Sequence, residues 1–143
     1  MGKITLIFIL FLYGFASKEM SLIEQMWTAF RSKNYQEVHT LNLKCNELFL
    51  IPAVEAEADI KGGKKYDHKK MMPLNIMAEC LYLDADAYRL EGKKDIANYI
   101  YKMIIKYFPH GESVDLGWIW LPSEDAENRL KQMEMEDDES KKP

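Results

Sequence analysis

The side chains that could carry out acid–base, nucleophilic or metal chemistry are scattered along this sequence. Its three histidines, His39, His68 and His110, stand apart, and the sequence contains no HExxH, CxxC or glycine-rich phosphate loop. A glycoside hydrolase needs two carboxylates about 5 to 9.5 Å apart across a cleft. Glu112 and Asp115 lie near two tryptophans, but a helical hairpin offers no cleft between them. We therefore expect a protein that is not an enzyme and that has no cofactor and no metal site.

Cys45 and Cys80 are the only two cysteines in the sequence. In an exported protein they could form a disulfide. Stacked helical hairpins would bring them together, because the second helix of one hairpin packs on the first helix of the next. The alternative is a pair of small, buried thiols. A metal site built from Cys45 and His39 is disfavoured, because residues six apart do not share a helix face.

The elements that would position these residues are helices. Residues 74–109 contain two amphipathic patterns separated by a turn at Gly92, which can adopt the left-handed conformation that ends a helix. Apolar residues at spacings of three and four predict one buried stripe on each helix, and Pro109 ends the second helix. So short a connection makes the two helices antiparallel neighbours. The first stripe comprises Leu74, Met77, Ala78, Leu81, Ala85 and Tyr88, and the second comprises Ile96, Ile100, Met103, Ile104 and Tyr107.

The same hairpin carries small and aromatic residues in a characteristic register. In chain order these are Ala85, Tyr88, Gly92, Ala97, Tyr101 and Pro109. In this register residues 74–109 resemble a tetratricopeptide repeat, a helical hairpin of about 34 residues, although Leu81 replaces the usual Trp and Asp84 the usual Leu. The resemblance implies an all-α fold of antiparallel helical hairpins, in which the first helix of each hairpin lines a groove for a peptide or a partner protein. The candidate partner-binding residues on that helix are Asn75, Asp84 and Tyr88.

Residues 21–50 contain a second, weaker helical pair. Ser21 and Glu24 form a capping-box pattern at its start, residues 32–34 form the turn, and the second helix is expected to run up to Pro52. This pair is either a diverged first repeat or an unrelated helical hairpin. Its buried stripes are predicted to be Ile23, Met26, Trp27 and Phe30, then Val38, Leu41, Cys45, Leu48 and Phe49.

The chain between the two pairs breaks a strict 34-residue period. We expect a short helix at residues 52–60, followed by a basic linker at residues 61–73 that contains five lysines and a Gly62-Gly63 bend. The lysines could bind an anionic polymer or an acidic peptide. A solvated loop is the interpretation we favour, because runs of charge usually form solvated surfaces.

After Pro109, residues 110–135 are predicted to cap the open end of the hairpins. A helical repeat cannot bury its face alone and needs neighbouring units or caps. Pro122 and Ser123 start a final helix, since Ser is a favoured N-cap residue. Residues 137–143 are polar and predicted to be a disordered tail.

A Gly-Trp-x-Trp segment precedes the final helix. Together with the tetratricopeptide-like hairpin, this segment resembles a group of small exported bacterial proteins over residues 74–133, a resemblance that implies a fold more than an activity. Trp118 and Trp120 either pack in the core, or one of them is exposed as a platform that stacks on a sugar ring or a peptide side chain.

Residues 1–16 have the features of a cleaved signal peptide, with one lysine, an apolar run and small residues before the cleavage site. The run is shorter than the roughly 18 apolar residues of a membrane-spanning helix. An uncleaved anchor is therefore the less favoured alternative, and no membrane span is expected after cleavage. Residues 17–136 then form one domain. The net charge of −4 argues against nucleic-acid binding.

These predictions favour a periplasmic or secreted module that binds a peptide or a partner protein. An alternative from a different class is a carbohydrate-binding or glycan-processing accessory that uses Trp118 or Trp120. A third alternative is a homodimer in which a second copy covers the exposed face of the repeat.

Overall fold

The computed structural model of the protein describes residues 22–65, 67–115 and 117–140. These residues form five helices and one two-stranded sheet, which confirms the predicted all-α fold of helical hairpins. The signal peptide predicted for residues 1–16 and Ser21 of the capping box lie outside the described residues. In chain order the elements are α1 (residues 22–31), α2 (Tyr35–Lys61), α3 (His68–Leu90), α4 (Lys94–Tyr107), β1 (Ser113–Asp115), β2 (Trp118–Trp120) and α5 (Pro122–Ser140).

Helix α3 is the central element of the fold. It packs against α2, α4, α5 and β1, and its residues 77–87 are all buried. Small side chains at Ala78, Ala85 and Ala87 let the neighbouring elements approach closely. Helices α3 and α4 form the hairpin predicted from the sequence, and Gly92 turns between them at φ 80°.

Helix α2 continues through Pro52 to Lys61, so the predicted break at Pro52 and the separate short helix at residues 52–60 are wrong. Proline removes one backbone hydrogen bond and its ring crowds the preceding turn. Pro52 is exposed, however, while its neighbours Phe49 and Ala53 are buried. Packing of the buried face against α3 holds the helix together across the proline.

Helix α3 begins at His68, earlier than predicted, and Pro73 lies inside it. The basic linker therefore shrinks to residues 62–67, and its predicted extension to residue 73 is wrong. Asp67 is the N-cap, because its side chain accepts a hydrogen bond from the backbone N–H of Lys69 at 3.0 Å. Because of this cap, α3 begins before Pro73. The proline then removes one backbone hydrogen bond from the helix.

The buried faces of α2 and α4 differ from the predicted stripes at three positions. Leu48, Ile96 and Tyr107 are exposed, so their assignment to the core is wrong. In α4 the buried face includes Ala97 and Tyr101. These two residues directly follow Ile96 and Ile100 of the predicted stripe. The reason is that α4 packs on both α3 and α5, so its buried arc is centred between these two neighbours.

The C-terminal segment forms a β-hairpin followed by a long helix. Strands β1 and β2 pair antiparallel, with Val114 opposite Ile119. Helix α5 extends to Ser140, so the disordered tail predicted from residue 137 is wrong for residues 137–140. Lys94 Nζ lies 2.9 Å from Asp137 Oδ1 and joins the end of α5 to the start of α4. Within the described residues, no helix combines the length and the apolar character that crossing a membrane requires.

Candidate functional site

His39, near the start of α2, contacts two carboxylates near the C-terminal end of α3. Its Nδ1 atom lies 2.5 Å from Asp84 Oδ1, and its Nε2 atom lies 2.8 Å from Glu91 Oε2. Both ring nitrogens thus lie within hydrogen-bond distance of a carboxylate. His39 therefore joins α2 to the C-terminal end of α3 through two charge-assisted hydrogen bonds.

Other side chains pack around the imidazole of His39. Tyr88 stacks on the imidazole, with ring centroids 3.8 Å apart and planes at 18°. Asp84 is buried and also accepts a hydrogen bond from Asn42 Nδ2 at 2.8 Å. Burial raises the pKa of Asp84 against the opposing effect of the His39 hydrogen bond, whereas the hydrogen bond from His39 lowers the pKa of Glu91.

A histidine between two carboxylates could in principle act as a general base. Both nitrogens of His39 are occupied by Asp84 and Glu91, and Tyr88 covers one face of the ring. No ring nitrogen is left to accept a proton from a substrate. This arrangement links α2 to the C-terminal end of α3.

A second buried carboxylate, Asp86, joins three helices. It accepts a hydrogen bond from the Tyr101 hydroxyl at 2.5 Å and one from Arg89 Nε at 2.9 Å. Arg129 Nε of α5 lies 3.2 Å from the same carboxylate. Burial, followed by the hydrogen bond to Asp86, raises the pKa of Tyr101 far above its usual value. Two arginines thus compensate one buried charge, as buried charges require.

Two further carboxylates fix the segment after α4 to the helices. Glu57 Oε1 of α2 lies 2.6 Å from His110 Nδ1. Glu79 of α3 accepts hydrogen bonds from Trp27 Nε1 and from the Ser113 hydroxyl, each at 2.6 Å. These contacts hold the C-terminal segment against α2 and α3. They also bring α1 next to Glu79 of α3.

Close packing supports the same docking. Gly111 lies so near α3 that a Cβ atom there would be 2.5 Å from the Cβ of Ala78. Asn75 Oδ1 accepts a hydrogen bond from the backbone N–H of Glu112 at 2.8 Å. The C-terminal segment therefore covers the part of α3 that would otherwise be an open face.

The three residues predicted to bind a partner, Asn75, Asp84 and Tyr88, all take part in contacts within the chain. Asn75 binds the C-terminal segment, Asp84 is buried, and Tyr88 stacks on His39. Because residues 77–87 of α3 are buried throughout, the expected groove lined by this helix is not open. The structure thus corrects the expected open groove, because residues 77–87 of the first helix of the main hairpin are interior.

Cys45 and Cys80 are joined by a disulfide in the structure, with Cα atoms 6.6 Å apart. Both side chains are fully buried. Of the two arrangements considered from the sequence, the structure contains the bonded one, which crosses from α2 to α3.

A largely apolar opening on the surface lies between α2 and α4. This groove, of about 300 Å³, is lined by Leu50 and Val54 of α2 and by Met103 and Tyr107 of α4, with Lys61 at one end. We call it the α2–α4 groove.

Exposed apolar side chains continue along both walls of the α2–α4 groove. Leu43 precedes Leu50 by seven residues, and Ile96 precedes Met103 by the same interval, which puts each pair on one helix face. Leu43 is 65% exposed and Ile96 44%. Each helix therefore presents an apolar stripe to solvent in addition to its buried face.

The β-hairpin exposes a second, smaller apolar surface. Trp118 is 79% exposed, and the cross-strand pair Val114 and Ile119 is exposed beside it. Trp120 is half-buried and packs edge-on against Tyr82, with ring centroids 5.1 Å apart. Of the two tryptophans singled out in the sequence, one therefore packs on the core and the other faces solvent.

Sequence reasoning missed the α2–α4 groove because it ended α2 at Pro52. Once Val38, Leu41 and Cys45 are assigned to the core, Leu43, Leu50 and Val54 remain, and they recur on a different face of the same helix. That second stripe was a signal available in the sequence. Nothing local in the sequence, by contrast, marked His39 as a partner of Asp84.

Within the described part of the chain, no group of three or more histidine, cysteine, aspartate or glutamate side chains could hold a metal ion. Comparison of the chain with protein-family models, with curated proteins and with solved structures found no match.

Proposed function

We propose that this protein is an exported protein-interaction module that binds a partner protein in the α2–α4 groove. The observation that carries the proposal is the pair of exposed apolar stripes on these helices. Leu50 and Val54 face Met103 and Tyr107 across one groove. Isolated apolar residues are normal on a surface, whereas a contiguous apolar surface with polar edges is typical of an interaction site.

The proposal keeps the interaction function expected from the tetratricopeptide-like pattern but moves the site. Residues 77–87 of α3, the first helix of the main hairpin, are buried, so we place the partner on the outward faces of α2 and α4. We further propose that the two helical hairpins are diverged repeats of this kind, with the β-hairpin and α5 as their cap.

Export is the second part of the proposal. The apolar N-terminal run of residues 4–15 has the composition of a signal peptide. A disulfide between Cys45 and Cys80 is compatible with an oxidising compartment such as the periplasm or the extracellular space. The partner would accordingly be another exported protein or the exposed part of a membrane protein.

Site-specific photocrosslinking in the source cell tests the proposal. A photoreactive amino acid at Val54, which lines the groove, is expected to yield a discrete protein adduct. The matched control carries the photoreactive amino acid at Glu55. This residue is an exposed neighbour on the same helix and does not line the groove. An adduct at Val54 but not at Glu55 supports the proposal. Equal adducts at both positions, or none at Val54, contradict it.

A second candidate function is carbohydrate binding through the β-hairpin. The observation that favours it is the 79% exposure of Trp118, because an exposed indole stacks well on the apolar face of a sugar ring. Tryptophan fluorescence recorded against a panel of soluble cell-wall and glucan fragments tests this candidate. A shift that is abolished by Trp118→Ala supports it, and the absence of a shift with every fragment argues against it.

A further inference from the structure

We propose that the segment bound in the α2–α4 groove is an amphipathic helix with an acidic first turn, lying antiparallel to α2 and α4. This inference rests on the proposed function, since it specifies the partner of the same groove. It follows from the shape of the groove and from the placement of charge around it.

The shape of the groove suits a helix. Both α2 and α4 pack against α3 as consecutive antiparallel neighbours, so they run in the same direction with a furrow between them. The apolar stripe from Leu43 to Val54 and the stripe from Ile96 to Tyr107 each span about 16 Å, or three helical turns. A third helix laid in such a furrow inserts apolar side chains at positions i, i+3 or i+4, and i+7.

Three lysines lie at one end of the groove, whereas Lys93 and Lys94 at the start of α4 pair with acidic side chains. Lys61 lies at the end of α2, and Lys102 and Lys106 are exposed on the last two turns of α4. Lys106 Nζ lies 5.0 Å from the ring centroid of Tyr107, a groove residue. Glu57 at this end is already bonded to His110 and paired with Lys61. This basic end stands out in a chain whose net charge is −4.

The charge placement also sets the direction of the bound helix. Acidic side chains are favoured in the first turn of a helix, where they meet the positive end of its dipole. When that acidic turn lies at the basic end of the groove, its carboxylates face Lys61, Lys102 and Lys106. The N-terminus of the bound helix then meets the C-termini of α2 and α4, so the helix dipoles are antiparallel and attract.

A second copy of this chain offers no such segment within the described residues. Its most acidic helical stretch is the end of α5, residues 134–139. The buried residues Ala126 and Met133 of α5 belong to the core of its own chain, and Met135 is its only large exposed apolar side chain. Three anchors at helical spacing are therefore missing from the described residues, so the proposed occupant is a segment of another protein.

Two synthetic peptides of about 15 residues, long enough to form a marginal helix, provide the probes. Both carry leucines at positions i, i+3 and i+7. One has glutamates in its first turn and the other has lysines at the same places. Binding is measured by fluorescence anisotropy, and the binding site is located by NMR shifts of Leu50, Val54 and Met103. The acidic peptide is expected to bind more tightly and to shift the signals of these groove residues.

The charge-reversal variant Lys102→Glu/Lys106→Glu tests the direction of this preference. Reversing two exposed charges is expected to weaken binding of the acidic peptide about tenfold and to tighten binding of the basic one. The matched control, Lys33→Glu/Lys131→Glu, reverses two exposed charges that lie in the turn between α1 and α2 and on α5, on neither wall of the groove. It should leave both affinities within about twofold of wild type, because solvent and salt screen distant surface charges.

Three outcomes would overturn the inference. The first is equal binding of the two peptides or no binding of either, and the second is NMR shifts confined to residues outside the groove. The third is a concentration-dependent dimer in sedimentation that Val54→Asp abolishes, because a second copy would then occupy the groove. The crosslinking result at Val54 stays independent of these peptides. A protein adduct there together with failure of the peptides retains the proposed function and removes only the acidic helix.

Discussion

The two carboxylates that contact His39 lie 45 and 52 residues further along the chain. No local pattern could pair them, which is why the histidine looked isolated in the sequence. Asp84 nevertheless stood out, because it occupies a position where a tetratricopeptide repeat usually has leucine. In the structure the Asp84 carboxylate is buried between His39 and Asn42. The sequence pattern predicts an external partner for Asp84, whereas in the structure its hydrogen-bond partners are residues of α2.

His39→Phe measures the strength of this connection. Phenylalanine can keep the stacking on Tyr88 but removes both hydrogen bonds and leaves Asp84 buried with Asn42 alone. We expect the free energy of unfolding, measured by urea denaturation, to fall by about 2 to 3 kcal/mol. Adding Asp84→Asn to His39→Phe should recover part of the loss, because it removes the uncompensated buried charge. A fully additive further loss in the double variant would contradict the assigned pairing.

The raised pKa of Tyr101 predicts how the free energy of unfolding changes at alkaline pH. Its pKa in the folded protein is raised by burial and by Asp86, whereas in the unfolded chain it is about 10. Below that pH the hydroxyl is protonated in both states. As the pH rises through 10 only the unfolded state ionises, so stability falls by about 1.4 kcal/mol per pH unit from this group.

Tyr101→Phe isolates this contribution. The variant loses the hydrogen bond to Asp86 and should be less stable at pH 8, but its stability should decline less steeply between pH 10 and pH 11. Tyr82 and Tyr88, whose pKa values burial also raises, keep contributing in both proteins. Urea midpoints across this pH range provide the measurement, and identical slopes for the two proteins would exclude a shifted Tyr101.

At the scale of the elements, the sequence predicted the helices well and their ends poorly. The hairpin of α3 and α4 follows from apolar spacing and from Gly92, which are local signals. The errors arose at Pro52 and Pro73, where the local rule predicts an interruption but packing on α3 continues the helix. The cost of a proline in a helix is a few kcal/mol, which the buried faces on both sides can offset. The β-hairpin was missed because its strands are only three residues long and their buried contacts come from distant helices.

Pro52→Ala tests whether α2 is one helix. Alanine restores a backbone N–H that can bond to the carbonyl of Leu48. We expect the free energy of unfolding to rise by about 1 kcal/mol, less than the roughly 3 kcal/mol between proline and alanine in isolated helices, because proline also restricts the unfolded chain. Ile51→Ala at the exposed neighbouring position is the control and should change stability little. A loss of stability in Pro52→Ala would instead favour a helix that ends at the proline.

For the molecule as a whole, the decisive feature is that α3 is enclosed by helices, by β1 and by the C-terminal segment. The sequence indicated a cap but could not show that it would close the face expected to bind a partner, because that depends on Asn75, Gly111 and Glu79 meeting residues far away in the chain. With residues 77–87 of α3 buried, the outer faces of α2 and α4 carry exposed apolar side chains. The position of the candidate site is thus a consequence of the whole fold and not of any one segment.

The disulfide between Cys45 and Cys80 contributes to stability at this same scale, because it closes a loop of 35 residues across the α2–α3 interface. In the chain-entropy model such a loop stabilises the folded state by roughly 3 to 4 kcal/mol. Both sulfurs are buried, so the protein is best reduced while unfolded and then refolded under reductant. We expect its melting temperature to fall by about 10 °C or more relative to the oxidised form. The control Cys45→Ala/Cys80→Ala should melt at one temperature with and without reductant. An unchanged melting temperature after complete reduction of the wild type would mean that packing alone holds α2 on α3, and the bond would then have no part in stabilising the enclosed helix.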